Sequence, residues 1–254
     1  GLPAPAACPA SPYVPTLDPA YRDLDALVAF GLAGGVILSQ RPYSRMTFAR
    51  VIADARSRVT ADEGMAKARL LEALRRLEAS FAGELELVCD GQRQECPRSA
   101  PAAALRGATA DGTWADSPYR AIVSRYNGNP DRIDADLSPL LQYNQGRVLA
   151  DGWTVAGEGW LDLVAGSRVA AQVQPRVWLA GARGGDTHGD ATLVRGYVRG
   201  LLGSLSIEAG RNLLSHGHAR DFGPLLSGNA RGFDMIRVSM ERPGRLPWIF
   251  RGLG

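Results

Sequence analysis

The chain has 254 residues, an apolar share of 45% and a formal net charge of +3 from 29 basic and 26 acidic residues. That length suits one or two units with a buried core, and the interspersed charges lack the Lys/Arg blocks of a nucleic-acid binder, so no nucleic-acid partner is expected. No stretch approaches the roughly 18 uninterrupted apolar residues of a membrane-spanning helix.

The chain opens "GLPAPAACPASPYVP" without methionine or the charged and apolar regions of a secretion signal. It reads as a mature end left by signal-peptide removal, or as an expression boundary. Cys8 follows Ala6-Ala7 as a lipoprotein cysteine would, although Pro5 stands where leucine is usual.

The first third reads as helical. Asp18-Pro19 supplies a cap and a proline at a helix start. Leu24, Leu27 and Val28 then recur at helical spacing as far as Gly31. Ser44 can cap a second helix with Phe48, Val51, Ile52 and Ala55 on one face. Thr60 and Glu63 make a capping box, followed by a stripe of Ala66, Leu70, Leu74, Leu77 and Phe81. Three amphipathic helices can bury one another, so residues 1–83 are expected to form a small helical domain.

Residues 84–118 read as a hairpin and linker. Cys89 and Cys96 flank "DGQRQE", a loop rich in turn formers, and are expected to close a local disulfide, which implies an oxidising compartment. "PRSAPAAALRGATADGTWADSP" (Pro97–Pro118) has no period and many small residues, as a long loop would.

From residue 119 onward the period becomes two. "RAIVSRYN" and "DADLSPLLQYN" are the weaker strand candidates. In "WTVAGEGWLDLVAG", Trp153, Val155, Gly157, Gly159, Leu161 and Leu163 face one side, and Thr154, Glu158, Trp160 and Asp162 the other. "RVAAQVQPRVWLAG" sets Val169, Ala171, Val173, Pro175, Val177 and Leu179 against Arg168, Gln172, Gln174, Arg176 and Trp178. "TLVRGYVRGLLG" sets Leu193, Arg195, Tyr197 and Arg199 against Val194, Gly196 and Val198. Leu205, Ile207 and Ala209 alternate with Ser206 and Glu208, and Ile236, Val238 and Met240 continue the pattern.

Such segments fit a transmembrane β-barrel, and they also fit a soluble antiparallel sheet with one wet face. Two details favour the barrel. The apolar faces are built from small and medium aliphatics with glycine rather than bulky core residues. The polar faces carry the arginines and carboxylates of a hydrated lumen. Trp153, near a strand end on the apolar face, reads as an interfacial anchor.

"SLSIEAGRNLLSHGHARDFGPLLSGNARGFDMIRVSMERPGRLPWIFRGLG" resembles the Wzi-like capsule assembly family of outer-membrane proteins. The matching positions are Gly210, Arg211, Gly223, Pro224, Leu225, Leu226, Ser227, Asn229, Ala230 and Arg231, continued by Arg242, Pro243, Leu246, Pro247 and Trp248. The N-terminal "SPYVPTLDPAYRDLDALVAFGLAGGVILSQRPYSRMTFARVIADA" is similar to the helical opening of these proteins, and more loosely to surface-layer homology modules.

The resemblance implies a non-catalytic, lectin-like outer-membrane barrel that holds capsular polysaccharide, with outer-membrane lipid around it, no cofactor, and a helical domain facing the periplasm. The fold class expected is α+β, a helical domain followed by antiparallel barrel strands over 119–254. Family barrels have many more strands than the roughly seven here. The expectation is therefore an N-terminal fragment whose sheet is open, with an unpaired edge strand prone to aggregation.

Candidate polysaccharide contacts are Arg211, His216, Asp221, Asn229, Arg231, Trp160 and Trp178. The arginines can bridge carboxylates or acidic sugars, or else form internal ion pairs with Glu208 or Asp234. Asn229 is most simply a turn residue. His216 and His218 have the spacing of a zinc-ligand pair, with Asp221, His188 or Asp234 as a third ligand, which would suit a zinc-dependent hydrolase. No His-Glu-x-x-His accompanies them, and no Gly-x-Ser-x-Gly supports Ser215 as a nucleophile. Glu158 and Asp162 could serve a glycosidase, but alternating lumen charges account for them. A soluble polysaccharide-binding module is the other alternative.

Overall fold

The structure, a computed structural model, describes residues 9–16, 18–34, 36, 40–58, 65–88, 100–115, 152–182, 185, 187–203, 205–216 and 232–241. Four helices come first: α1 (Ala20–Ala29), α2 (Arg45–Arg58), α3 (Met65–Ser80) and α4 (Ala82–Glu86), with the two-residue strand β1 (Gln40–Arg41) between α1 and α2. The strands β2 (Ala102–Ala115), β3 (Gly152–Ala165), β4 (Val169–Ala182), β5 (Thr187–Leu202), β6 (Leu205–Asn212) and β8 (Phe233–Met240) follow, with the short β7 (Ser215–His216) before β8.

The helix starts are capped where the sequence places caps. Asp18 accepts from the Ala20 amide at 2.9 Å, and the Ser44 hydroxyl accepts from the Thr47 amide at 3.1 Å. The helical stripes meet in one core, in which Leu24 and Leu27 pack with Phe48, Ile52, Leu77 and Phe81. Phe48 stacks on Phe81 at 4.8 Å and takes the edge of Tyr21 at 5.0 Å. Burial pushes the Tyr21 phenol far above its ordinary pKa, and pushes Tyr43 up to about 12. The capping box at Thr60 and Glu63, the Cys89–Cys96 pair and Cys8 lie outside the described residues.

The six long strands form one antiparallel sheet in the order β2-β3-β4-β5-β6-β8, and the sheet is not closed into a barrel. This is the α+β arrangement the sequence predicts. Residues 102–115 correct the linker reading, because they are β2, paired with β3 along its whole length. Alanine and glycine occupy both faces of β2, so no hydrophobic alternation shows until the partner strand defines which side is which. The candidates at 120–127 and 134–144 lie outside the described residues.

Side-chain polarity in this sheet is the reverse of a soluble protein's. Val155, Val177, Leu179, Val198, Ile207 and Ile236 all stand on one face and are exposed, Ile236 by 80%. The opposite face carries Thr154, Asp162, Gln172, Arg176, Arg199 and Glu208, all buried. The apolar face is covered by no second layer among the described residues, whereas the polar face receives the helical unit.

Two bulges adjust the alternation. The register between β4 and β5 shifts at Gln174/Pro175, opposite Leu193 and Arg195, and Val194 is the extra residue. Proline has no amide to give to a ladder, and the bulge absorbs that missing donor. The expected grouping of Leu193 with Arg195 is corrected: the bulge sends exposed Leu193 to the outer face while Arg195 stays buried. In β2 the shift between Leu105 and Gly107 frees Arg106 to reach Asp162 at 3.0 Å and Glu84 at 3.5 Å.

Candidate functional site

The polar face divides into two halves along the strands. At one end lie the short connections, residues 166–168 between β3 and β4 and residues 203–204 between β5 and β6. At the other end lie the connections 116–151 and 213–232, together with 183–186.

The half nearer the short turns is filled by the N-terminal segment. The Ala10 amide donates to Ser167 O at 2.9 Å, and the Tyr13 amide donates to the Tyr197 hydroxyl at 2.8 Å. Gln172 donates to Tyr13 O at 3.3 Å, and Arg199 Nη1 donates to Ser11 O at 2.9 Å. The guanidiniums of Arg199 and Arg237 lie over the Tyr13 ring at 4.4 and 4.7 Å. Arg199 also pairs with Glu241, whose carboxylate meets Ser44 and whose carbonyl accepts from Arg50 at 2.8 Å. A row of inward side chains that is charged and buried is thus held by backbone and hydroxyl groups of the helical unit.

In the half nearer the long connections Thr154, Ala156, Arg176 and Ala180 are buried, Trp178 and Thr192 are half-buried, and Asp111 is exposed. Register places Asp111 on β2, Ala156 on β3, Trp178 on β4 and Asp190 on β5 in one cross-strand row on the polar face. The next row inward is Thr109, Glu158, Arg176 and Thr192, in which Arg176 Nε meets Glu158 at 3.0 Å. Above them His188 pairs in register with Ala180, and both His188 and Asp190 are exposed. An indole ring in one row of a sheet face with carboxylates and hydroxyls is a group on which a sugar ring can stack and hydrogen-bond.

The candidate residues fall in different places. Trp160 and Trp178 both stand on the polar face, half-buried, with the Trp160 ring over Gly107. Arg211 stands on the outward face and pairs with Asp234 through contacts of 3.0 and 2.8 Å. The partner is one of the two carboxylates weighed from sequence, but the pair is exposed on the outward face rather than internal, so the polar face lacks Arg211. His216 lies in β7, which pairs with β1 in the register Gln40 to His216 and Arg41 to Ser215. The start of the Leu213–Gly232 connection therefore turns in against the helical unit. His218, Asp221, Asn229 and Arg231 lie outside the described residues. Among the described residues no three His, Cys, Asp or Glu side chains are grouped to hold a metal, and no described helix is long and apolar enough to cross a membrane.

Asp111, Thr192, Asp190 and the Tyr13–Tyr197 contact are absent from the sequence-derived candidates. Asp111 lay hidden in the segment read as a linker. The others carry only the two-residue period as a signal, which assigns a face but not the height along a strand.

A protein-family model described as capsule assembly protein Wzi matches residues 121–254, more than half of the chain. Neither the curated proteins nor the solved structures returned a match.

Proposed function

We propose, from the premise that this chain belongs to the capsule assembly protein Wzi family, that it forms part of the wall of an outer-membrane β-barrel and retains capsular polysaccharide without turning it over. Involvement in capsule assembly comes with membership of the family. The membrane setting is supported by one observation above all: the greasy face of the sheet is the exposed one and the charged face is the buried one. In water that distribution is unfavourable by about 25 cal/mol per Å² of apolar surface left exposed, whereas hydrocarbon tails remove the penalty.

Trp114 and Trp153, cross-strand partners on the outward face close to the long-connection end, suit the aromatic girdle at a bilayer boundary. Arg211 and Asp234, also outward, suit the polar zone beyond the hydrocarbon. Short turns at one end and longer connections at the other match barrels whose short turns face the periplasm. Because the N-terminal segment docks at the short-turn end, the helical unit belongs on the periplasmic side. The half of the polar face nearer the long connections, with Trp178, Asp111 and Asp190, then faces outward from the cell and is the surface for neutral capsular sugars.

Two measurements test this reading. The chain extracted from outer membranes in detergent is expected to show heat-modifiable electrophoretic migration; clean solubility without detergent would overturn it. Trp178→Ala is expected to lower capsule retention at the cell surface several-fold while leaving heat-modifiability intact, and unchanged retention would remove Trp178 from the sugar surface.

A further inference from the structure

Among the described residues, the helical unit and the sheet face it meets carry buried charges that do not balance. Five interior guanidiniums each have a carboxylate there: Arg41 with Asp25 at 2.6 Å, Arg45 with Glu84 at 2.5 Å, Arg176 with Glu158 at 3.0 Å, Arg237 with Glu208 at 2.7 Å, and Arg199 with Glu241. Arg195 is the sixth. It is 1% exposed, and among the described residues its Nε and Nη1 have no hydrogen-bond partner. The groups that act on it electrostatically are the phenols of Tyr197 and Tyr21 and the carboxylate of Glu158. Glu158 already accepts from Arg176 and from Gln174 at 3.3 Å, so its single charge is spoken for.

A guanidinium does not shed its proton at any physiological pH, so burial cannot neutralise Arg195 as it would a lysine. An uncompensated buried cation is among the costliest features a fold can carry. A water between Arg195 and the unpartnered Oε1 of buried Gln174, its cross-strand neighbour, would satisfy hydrogen bonds but leave the charge standing. The Val194 bulge lies next to Arg195 in β5, and bulges of this kind re-aim side chains.

We propose that Arg195 is the floor of an internal binding site for a small monovalent anion, a halide or a short carboxylate, held where the helical unit meets the sheet. The burial of Arg195 beside Tyr21 excludes a polysaccharide chain, so this site is separate from the proposed sugar surface at Trp178. The bound anion completes the charge balance of the interface, and the helical unit docks most firmly when the anion is present. This inference rests on the docked arrangement of helices on the polar face and not on the capsule reading.

The test uses the whole chain in detergent. Thermal unfolding is followed while chloride or formate replaces a bulky sulfonate at constant ionic strength. The expected result is a rise of about 3–5 °C for each tenfold increase of the anion above its dissociation constant. A response to chloride alone assigns the site to halides, and a response to formate alone to carboxylates. Melting that is the same in all three salts overturns the proposal. Arg195→Met is expected to abolish the dependence, and a variant that keeps it also overturns the proposal. Because that variant can fail to fold, bromide is also located by anomalous scattering in crystals of the unaltered protein. Bromide at the Arg195 guanidinium supports the site, whereas an acidic side chain of the chain itself at that position overturns it. Loss of capsule binding with the anion response intact would remove the sugar reading and leave this one standing.

Discussion

The Tyr13 amide and the Tyr197 hydroxyl, 184 positions apart in sequence, are joined by a buried hydrogen bond of 2.8 Å, with the two rings 5.4 Å apart. That contact fixes the N-terminal segment to the middle of a strand on the polar face. Removing the hydroxyl in Tyr197→Phe leaves a buried amide without its acceptor, which costs about 1–3 kcal/mol. Limited proteolysis within residues 9–14 should accelerate accordingly, with the sheet still resistant.

Glu241 gathers Arg199, Ser44, Thr47 and Arg50 at the end of β8. Glu241→Gln should destabilise docking of the helical unit by about 3–5 kcal/mol, because Arg199 would remain buried without its counter-charge. The double variant Glu241→Gln with Arg199→Met is expected to recover most of the loss. Denaturant unfolding of the four members of that cycle measures the coupling.

The outward face should reject charge. Val177→Lys and Val198→Lys place an ammonium where hydrocarbon is expected, at a cost of about 2–4 kcal/mol near the bilayer midplane. Both should lower the fraction that shows heat-modifiable migration. Thr192→Lys, on the polar face nearer the long connections, should not.

The helical unit should be labile in alkali. Burial holds the Tyr43 phenol neutral up to about 12, against an ordinary value of 10.0, and Tyr21 is raised further. With the folded-state value above the unfolded one, stability is unaffected below pH 10 and falls as the pH rises from there through 12. Helical circular dichroism followed against pH should show this window, and Tyr43→Phe should shift the loss to higher pH.

Gly210 adopts φ 129°, and a Cβ there would come within 2.7 Å of Tyr197 Cα as well as striking the Gly196 carbonyl. Gly210→Ala should therefore separate β6 from β5 at the Gly-Arg pair that the sequence singles out. Faster hydrogen exchange of the Tyr197 and Gly210 amides is the expected readout.

Sequence alone determined the first three helices, because caps at Asp18 and Ser44 and stripes ending at Phe81 are local features of one chain stretch, but it did not show the short α4 (Ala82–Glu86). It also determined the two faces of β3, β4, β6 and β8, since alternation is a property of the strand itself. The capsule assembly family was legible in the residues around Gly210 and Arg211. Tertiary structure decided the rest. Pairing with β3 made a strand of Ala102–Ala115, whose alanines and glycines carry no readable period. The bulge at Val194 separated Leu193 from Arg195, and the pairing of β7 with β1 set His216 opposite Gln40. Which arginine lacks a counter-charge among the described residues was settled only by bringing Asp25, Glu158 and Glu241 to the others. Each of these depends on contacts between residues distant in sequence, and periodicity within a strand holds no record of what lies across from it.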